Sequence, residues 1–385
     1  MFFRDIPLAW LQLTHSKAKF FAAVTGVVVA VLLMWMQLGF LDALYRSATS
    51  VTNHLTGDLV LISPHTKEFA RPESFPRRLL GRALGHPDVV AVHPFYEATG
   101  KWQNPWNGEK RPILVFGMPP DEPLFDAKGL AEGWSKTNVA DAGLFDVVCR
   151  PSLGNVGKHF NAGETVTAEI NNRRVTVVGT VRIGVGFQAD GNFVTTDANF
   201  LRLFPDRQAN AIDVGVIELR PGADRLAVQM ALRQAYGREL KVQTPQELIA
   251  AEYKFLQDNA PIGFVFTMGV VVGCFIGFAI VYQVLFTDIS SHLPQYATLK
   301  AMGYSDGYLV RTVLQAALIL AFCGYIPGTI LAAGLYEIGK RATMLPMDLS
   351  FVRGTQVFGL SLAMCILSGL VAVRRLRSAD PAEIF

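Results

Sequence analysis

The segment Gly154-Asn155-Val156-Gly157-Lys158 has the residue types of a phosphate-cradling loop. In that chemistry glycine N–H groups surround the phosphates, a lysine neutralises them, and a following Ser or Thr holds magnesium. The spacing is incomplete. Ser152 stands where the motif needs its first glycine, and His159 replaces the magnesium-holding hydroxyl. Gly184-Val185-Gly186 ends a strand-like run without the third glycine of a dinucleotide fingerprint, so it reads as a turn. No HExxH or GxSxG occurs. The seven histidines are dispersed; His65, His86 and His93 are the three a fold could gather, and ordinary surface or core positions are the expectation for them. Cys274, Cys323 and Cys365 fall in apolar runs and Cys149 stands alone, which leaves neither a disulfide framework nor a CxxC metal site. The expectation is a chain that is not an enzyme, with no catalytic residue, no metal and no cofactor of its own.

If chemistry is absent, the elements themselves must carry the function. Only 17% of the 385 residues are charged, against about 25% in a soluble globular protein. The deficit sits in four runs without Asp, Glu, Lys or Arg: Phe20 to Leu41, Ile262 to Phe286, Thr312 to Tyr336 and Gly354 to Val373. Roughly 20 apolar residues at 1.5 Å rise cross a hydrocarbon core of about 30 Å, so each run is long enough to span a bilayer. The first is too long for a signal-peptide core and reads as a retained helix. The positive charges are scattered, with no basic stripe, and no nucleic-acid partner is expected.

Charge also sets topology. Arg4, Lys17, Lys19, Lys300, Arg311, Arg374, Arg375 and Arg377 flank the spans on one side, against Lys340, Arg341 and Arg353 in the short loop opposite. This places both termini in the cytoplasm. The expected layout is an interfacial amphipathic helix at 1–19, carried by Phe3, Ile6, Trp10 and Leu13. It continues with a first span and stalk at 20–54, an extracytoplasmic domain at 55–244, and a stalk with the second span at 245–286. A cytoplasmic loop at 287–311, a third span at 312–336, an outer loop at 337–353, a fourth span at 354–373 and a cytoplasmic tail at 374–385 complete it.

The large domain is expected to be α/β. Strands at Asp58–Ser63, Val89–His93, Ile113–Gly117, Ile212–Leu219 and Leu240–Val242, with helices at Glu73–Leu84 and Ala223–Tyr236, make a split β-α-β arrangement. A β-rich insertion occupies about 119–210, where Asn171-Asn172 signals a two-residue hairpin. Thr244-Pro245-Gln246-Glu247 is a capping box with proline at the first helical position, and its helix is expected to run into the second span. Asp42 to His54 lacks Gly and Pro, so the first span is expected to extend outward as well.

The spans offer no transport path, since ionisable groups at membrane depth are absent and Gln37, Gln283 and Gln315 lie near the run ends. Gly269-x-x-x-Gly273-x-x-x-Gly277 forms a smooth stripe that suits either packing inside the bundle or a dimer seam.

Four segments, Leu8-Ala9-Trp10-Leu11-Gln12-Leu13, Met36-Gln37-Leu38-Gly39-Phe40, His292 to Tyr304 (HLPQYATLKAMGY) and Ala379 to Phe385 (ADPAEIF), together resemble DevC-type permeases. These belong to the wider MacB and FtsX-like family of ABC transporter membrane subunits. The resemblance implies a homodimer in the inner membrane, working among membrane lipids with a cytoplasmic ABC ATPase that binds ATP and magnesium. It further implies a periplasmic membrane-fusion adaptor and an outer-membrane duct protein. It assigns ATPase coupling to Leu293, Pro294, Tyr296, Ala297, Thr298, Leu299, Lys300, Met302, Gly303 and Tyr304, of which Tyr296 to Met302 has a helical pattern. The general family's Glu-x-x-Arg-Glu-Ile-Gly pattern is replaced here by His-Leu-Pro-Gln-Tyr-Ala-Thr, so docking by packing rather than by ion pairs is expected. The function implied is mechanotransmission in an exporter. The alternatives are an FtsX-like regulatory subunit acting on a periplasmic hydrolase and a lipoprotein-extracting subunit.

Overall fold

The computed structural model describes residues 8–67, 71–186, 188–259, 261–291, 302 and 306–377. Apolar segments in lipid must satisfy every backbone N–H and C=O internally, and helices do this. Among the described residues four helices are long and apolar enough to cross a membrane: Lys17–Ala48, Pro261–Ser291, Asp306–Thr343 and Phe351–Arg377. Each contains one of the uncharged runs, as expected, and the chain is a multi-pass membrane protein. By contact it divides into a membrane unit (Met1–Asp42, Pro261–Ala342, Met347–Phe385) and an extramembrane unit (Ala43–Ala260, Thr343–Pro346).

Within the membrane unit the first helix touches all three others. Gly26 faces Ile280 of the second, Gly324 and Gly328 of the third face Val27 and Val31, and Gly354 of the fourth faces Trp35. Trp35 is buried, and its Nε1 donates to Thr329 Oγ1 at 3.1 Å. Pro327 lies inside the third helix, where it removes one backbone hydrogen bond.

The extramembrane unit is built on β1 (Leu59–Ile62), β2 (Phe75–Pro76), β3 (Val89–Gln103), β4 (Lys110–Met118), β5 (Ala142–Asp146), β6 (Val166–Ile170), β7 (Arg173–Val181), β8 (Asn192–Thr196), β9 (Ala211–Ile212), β10 (Val214–Leu219) and β11 (Lys241–Gln243). Its first sheet runs β11-β1-β10-β3, antiparallel throughout. Two β-α-β units interleave there. β1 reaches β3 through the 3₁₀ helix Arg77–Gly85, and β10 reaches β11 through the helix Arg225–Tyr236, each unit with a strand of the other between its own two. Asp224 caps the second helix by accepting from the N–H groups of Leu226 and Ala227.

β3 belongs to two structures at once. Val89 to Phe95 pair with β10, and Tyr96 to Gln103 pair with β4. From β4 the pairing continues through β8, β5, β7 and β6, and β6 returns to β3 at Trp102–Ile170, closing a ring of six strands. Closure leaves the insertion without the exposed edge of an open sheet. Trp102, Phe145 and Phe193 fill the ring, with the Trp102–Phe145 centroids 4.9 Å apart.

Two sequence expectations need correction. The helix expected at Glu73–Leu84 begins as strand β2, because Ser74 is held by Asp213 and extended Pro76 pairs with Ala211; only Arg77–Gly85 is helical, and as 3₁₀. The strand expected at Val89–His93 runs to Gln103, because its later residues find β4 as a second partner. The hairpin matches: Asn171 and Asn172 both take positive φ, 52° and 63°, as a two-residue type I′ turn requires.

Candidate functional site

With no catalytic constellation in the sequence, the close helix contacts and the polar clusters within each unit are the candidate functional features. Gly269, Gly273 and Gly277 face the first helix. A Cβ on Gly269 would fall on the Gln37 side chain, one on Gly273 would lie 3.3 Å from Leu33 Cβ, and one on Gly277 would lie 2.6 Å from Ala30 Cβ while also meeting Met364 of the fourth helix. The stripe packs inside the chain. On another face of the same helix Phe264, Met268, Val271 and Phe275, spaced by four, three and four, are exposed. Gly324 and Gly328 form a second small-residue pair that the sequence reading passed over. Their spacing of four was the available signal.

Near the expected outer ends of these helices lies a polar cluster the sequence reading also missed. Arg353, with only 7% of its side chain exposed, pairs with Asp42 and donates to the Asp348 carbonyl at 3.0 Å. It also reaches Tyr336 Oη at 3.5 Å, and that hydroxyl donates to the Trp35 carbonyl. Asp42 and Arg353 each stand one residue outside an uncharged run, so a charge count treats them as loop residues.

Of the ATPase-coupling set, only Met302 is described, and it is exposed. Leu293, Pro294, Tyr296, Ala297, Thr298, Leu299, Lys300, Gly303 and Tyr304 lie outside the described residues, as do Phe3, Ile6 and the 379–385 segment. Trp10 and Leu13 lie on the helix Leu8–His15, the first exposed and the second buried.

In the extramembrane unit the helices flanking the domain are anchored to it. The first helix runs to Ala48, and a short helix, Ser50–His54, follows after Thr49. Ser47 Oγ donates to the Val185 carbonyl at 2.9 Å, and Ser50 Oγ to that of Ile183 at 3.1 Å. The helix Pro245–Asn259 packs against Ser50–His54 and opens on the expected capping box: Glu247 N–H donates to Thr244 Oγ1, and Thr244 N–H to Glu247 Oε2, both at 3.1 Å. Gln229 and Arg233 also donate to Glu247. Burial raises that carboxyl's pKa, but the bonds from Thr244, Gln229 and Arg233 outweigh it and leave it below the usual value. Thr52 Oγ1 donates to buried Glu252 at 3.3 Å, and the rings of Tyr45 and Tyr253 lie 5.3 Å apart. Ala260, between Asn259 and the second span helix, lies outside the described residues.

The glycine-rich segment lines an open cleft of about 510 Å³ in which Lys128, Lys158 and Arg182 join Gly154, Gly157 and Cys149. The geometry of a nucleotide site is not formed, because His159 turns to Glu164 at 2.8 Å and stacks on Trp106. Burial, with Asp146 and Asp190 nearby, pushes the Cys149 thiol up to about 12, so it stays protonated and unreactive. His86 Nδ1 accepts from Asp88 N–H, and His65 N–H donates to Ser63 Oγ; neither joins His93 in a metal-ligating group among the described residues.

Residues 20–235 match the model of the MacB-like periplasmic core domain, and residues 264–381 that of the FtsX-like permease C-terminal region. Among solved structures the chain is similar to the periplasmic region of MacB from Actinobacillus actinomycetemcomitans, at 9% identity and a TM-score of 0.35, covering 55% of this chain and 97% of that one. It is similar also to the extracellular domain of the noncanonic ABC-type transporter YknZ from Gram-positive bacteria (15% identity, TM-score 0.32, 49% of this chain and 99% of that one). A third likeness is to a domain of a putative permease from Porphyromonas gingivalis (13% identity, TM-score 0.30, 49% and 86%). Among curated proteins none matches.

Proposed function

Because the chain belongs to the MacB/FtsX-like family of ABC transporter permeases, we propose that it passes motion from a separate cytoplasmic ATPase to its extramembrane domain and so drives export. In this reading both termini are cytoplasmic and the membrane is the inner one. The chain works as a homodimer of the DevC type, and the domain hands cargo to a periplasmic adaptor and an outer-membrane duct. Leu293, Pro294, Tyr296, Ala297, Thr298, Leu299, Lys300, Met302, Gly303 and Tyr304 receive the ATPase stroke. ATP and magnesium stay on that partner.

The observation that carries the reading is the first helix. It is one element from Lys17 to Ala48, carries an uncharged run, and ends among residues of the domain, where Ser47 is bonded to Val185. A stiff rod built into a folded domain transmits displacement. A route for polar cargo between the spans would instead leave buried polar groups unpaired, at about 1–3 kcal/mol each. The test is a flexible Gly-Gly-Ser inserted after Asn259, at the other joint. ATPase binding and hydrolysis should persist while export falls at least tenfold. Normal export by the insertion variant, or cargo crosslinking along the second and third spans, would overturn rigid transmission.

A further inference from the structure

Across β3 and β10, His93 and Glu218 stand diagonally on neighbouring strands, since His93 pairs with Val216 and Ala91 with Glu218. Both point to the face that carries buried Phe95 and Val216. The loop after β4 brings Glu122 to the same place, so that one ligand atom from each of the three side chains lies within 4.8 Å of the others. His93 Nε2 is buried without a hydrogen-bond partner and is 3.6 Å from Glu218 Oε1. Among the described residues no Lys or Arg pairs with Glu122 or Glu218. Two carboxylates therefore face each other and an imidazole nitrogen with no cation to offset their repulsion.

We propose that His93, Glu122 and Glu218 form a binding site for a divalent transition-metal ion of the zinc class. One imidazole and two carboxylates make a hard-to-borderline N,O,O donor set of a kind that binds zinc, and three protein ligands plus water complete a tetrahedral zinc shell. Ligands at about 2.0–2.2 Å from such an ion lie roughly 3.4 Å apart, within reach of small side-chain rotations from the present spacing. The site ties three elements together, and the loop it would fasten has a second attachment. Leu124 accepts from Thr56 N–H at 2.8 Å, Asp126 N–H donates to the His54 carbonyl at 2.7 Å, and Phe125 bridges to Leu55. A bound ion would therefore brace the segment that holds the end of the helix Ser50–His54. This site stands independently of the export reading.

The test uses the untagged full chain in detergent, stripped with chelator and titrated with zinc chloride by calorimetry. One ion per chain should bind saturably, with a rise in the thermal midpoint. Cobalt(II) should give the intense visible absorption of a low-coordinate site. Glu122→Gln, a change at an exposed loop residue, and His93→Gln should each weaken binding at least tenfold and remove the cobalt absorption. His159→Gln, at the separate His159–Glu164 pair, should leave both unchanged. Absence of saturable binding to the unaltered chain, or binding that survives Glu122→Gln and His93→Gln alike, would show the cluster to be a histidine–carboxylate contact only.

Discussion

The membrane and extramembrane units are held together by opposite means. The uncharged runs contain no ionisable side chain other than tyrosine and cysteine, and glycines let neighbouring helices approach until side chains fill the space above them. Among its described residues the extramembrane unit buries five acids instead: Glu97, Asp146, Asp190, Asp213 and Glu252. Four of these have partners. Asp190 accepts from Arg150 and Ser152, Asp213 from Arg207, Ser74 and the Glu97 N–H, Glu252 from Thr52, and Asp146 from a cage of N–H groups. Lipid gives helices no hydrophobic reason to associate, so close packing dominates there, joined by a few interhelical bonds such as Trp35 to Thr329 and Arg353 to Asp42; water-facing domains can place many directional bonds in their cores and gain a unique geometry.

Asp146 is where that contrast should break most visibly. Its carboxylate accepts from Val148, Ile183 and Gly184 N–H groups and from Asn192 Nδ2, at 2.7–3.3 Å. Burial raises its pKa by more than those bonds lower it. Asp146→Ala would strand several buried donors at about 1–3 kcal/mol each, with incomplete additivity, so a loss of about 3–5 kcal/mol is expected. Urea unfolding of the full chain in detergent, followed by tryptophan fluorescence, measures it. A loss under about 1 kcal/mol would mean that the cage is dispensable.

In the membrane unit the expected cost is smaller and depends on position along one helix. Gly277→Val must displace both Ala30 and Met364, and overpacking of this kind costs about 1–3 kcal/mol. Gly273→Ala meets Leu33 at 3.3 Å and otherwise Ala30 and Met34 at ordinary contact distance, and a few tenths of an ångström of relaxation accommodates it. Phe275→Ala, on the exposed face, should change the thermal midpoint of the detergent-solubilised chain least. Equal effects at Gly277 and Phe275 would show that close approach to the first helix does not hold the bundle.

What could be read from the sequence follows the range of the interactions involved. The four spans were legible because a bilayer imposes a length and forbids charge, and both are visible in a linear scan. The Thr244–Glu247 capping box and the Asn171-Asn172 turn were legible for the same reason, since each is complete within four residues. The ring was not, because closure joins Trp102 to Ile170, and nothing in either segment names the other. Arg353 and Asp42 are 311 positions apart, and only the fold makes a pair of two charges that looked like flanks. Local physics favoured a helix at Glu73–Leu84, and Asp213, reached only in the folded chain, overrode it.

Glu97 is the exception among the buried acids, and it gives the smallest and most specific expectation. Neither carboxylate oxygen has a hydrogen-bond partner among the described residues. Burial, reinforced by the negative charges of Asp213 and Glu252, holds its pKa well above the ordinary carboxyl range. The folded state therefore keeps a proton that the unfolded state has already released. Between the unfolded value and the raised folded value the native state binds more protons, so stability is fully present at acid pH and falls as pH rises through that window. Glu97→Gln removes the titration while keeping the shape. Its stability relative to the unaltered chain should thus increase with pH, reaching a gain on the order of 1 kcal/mol at neutral pH. Midpoints for both proteins at intervals between pH 5 and pH 8 give the answer directly, because titrating groups that do not interact with Glu97 cancel in the difference. A difference that stays constant across that range would mean that Glu97 is ionised in the fold and that its charge is compensated after all.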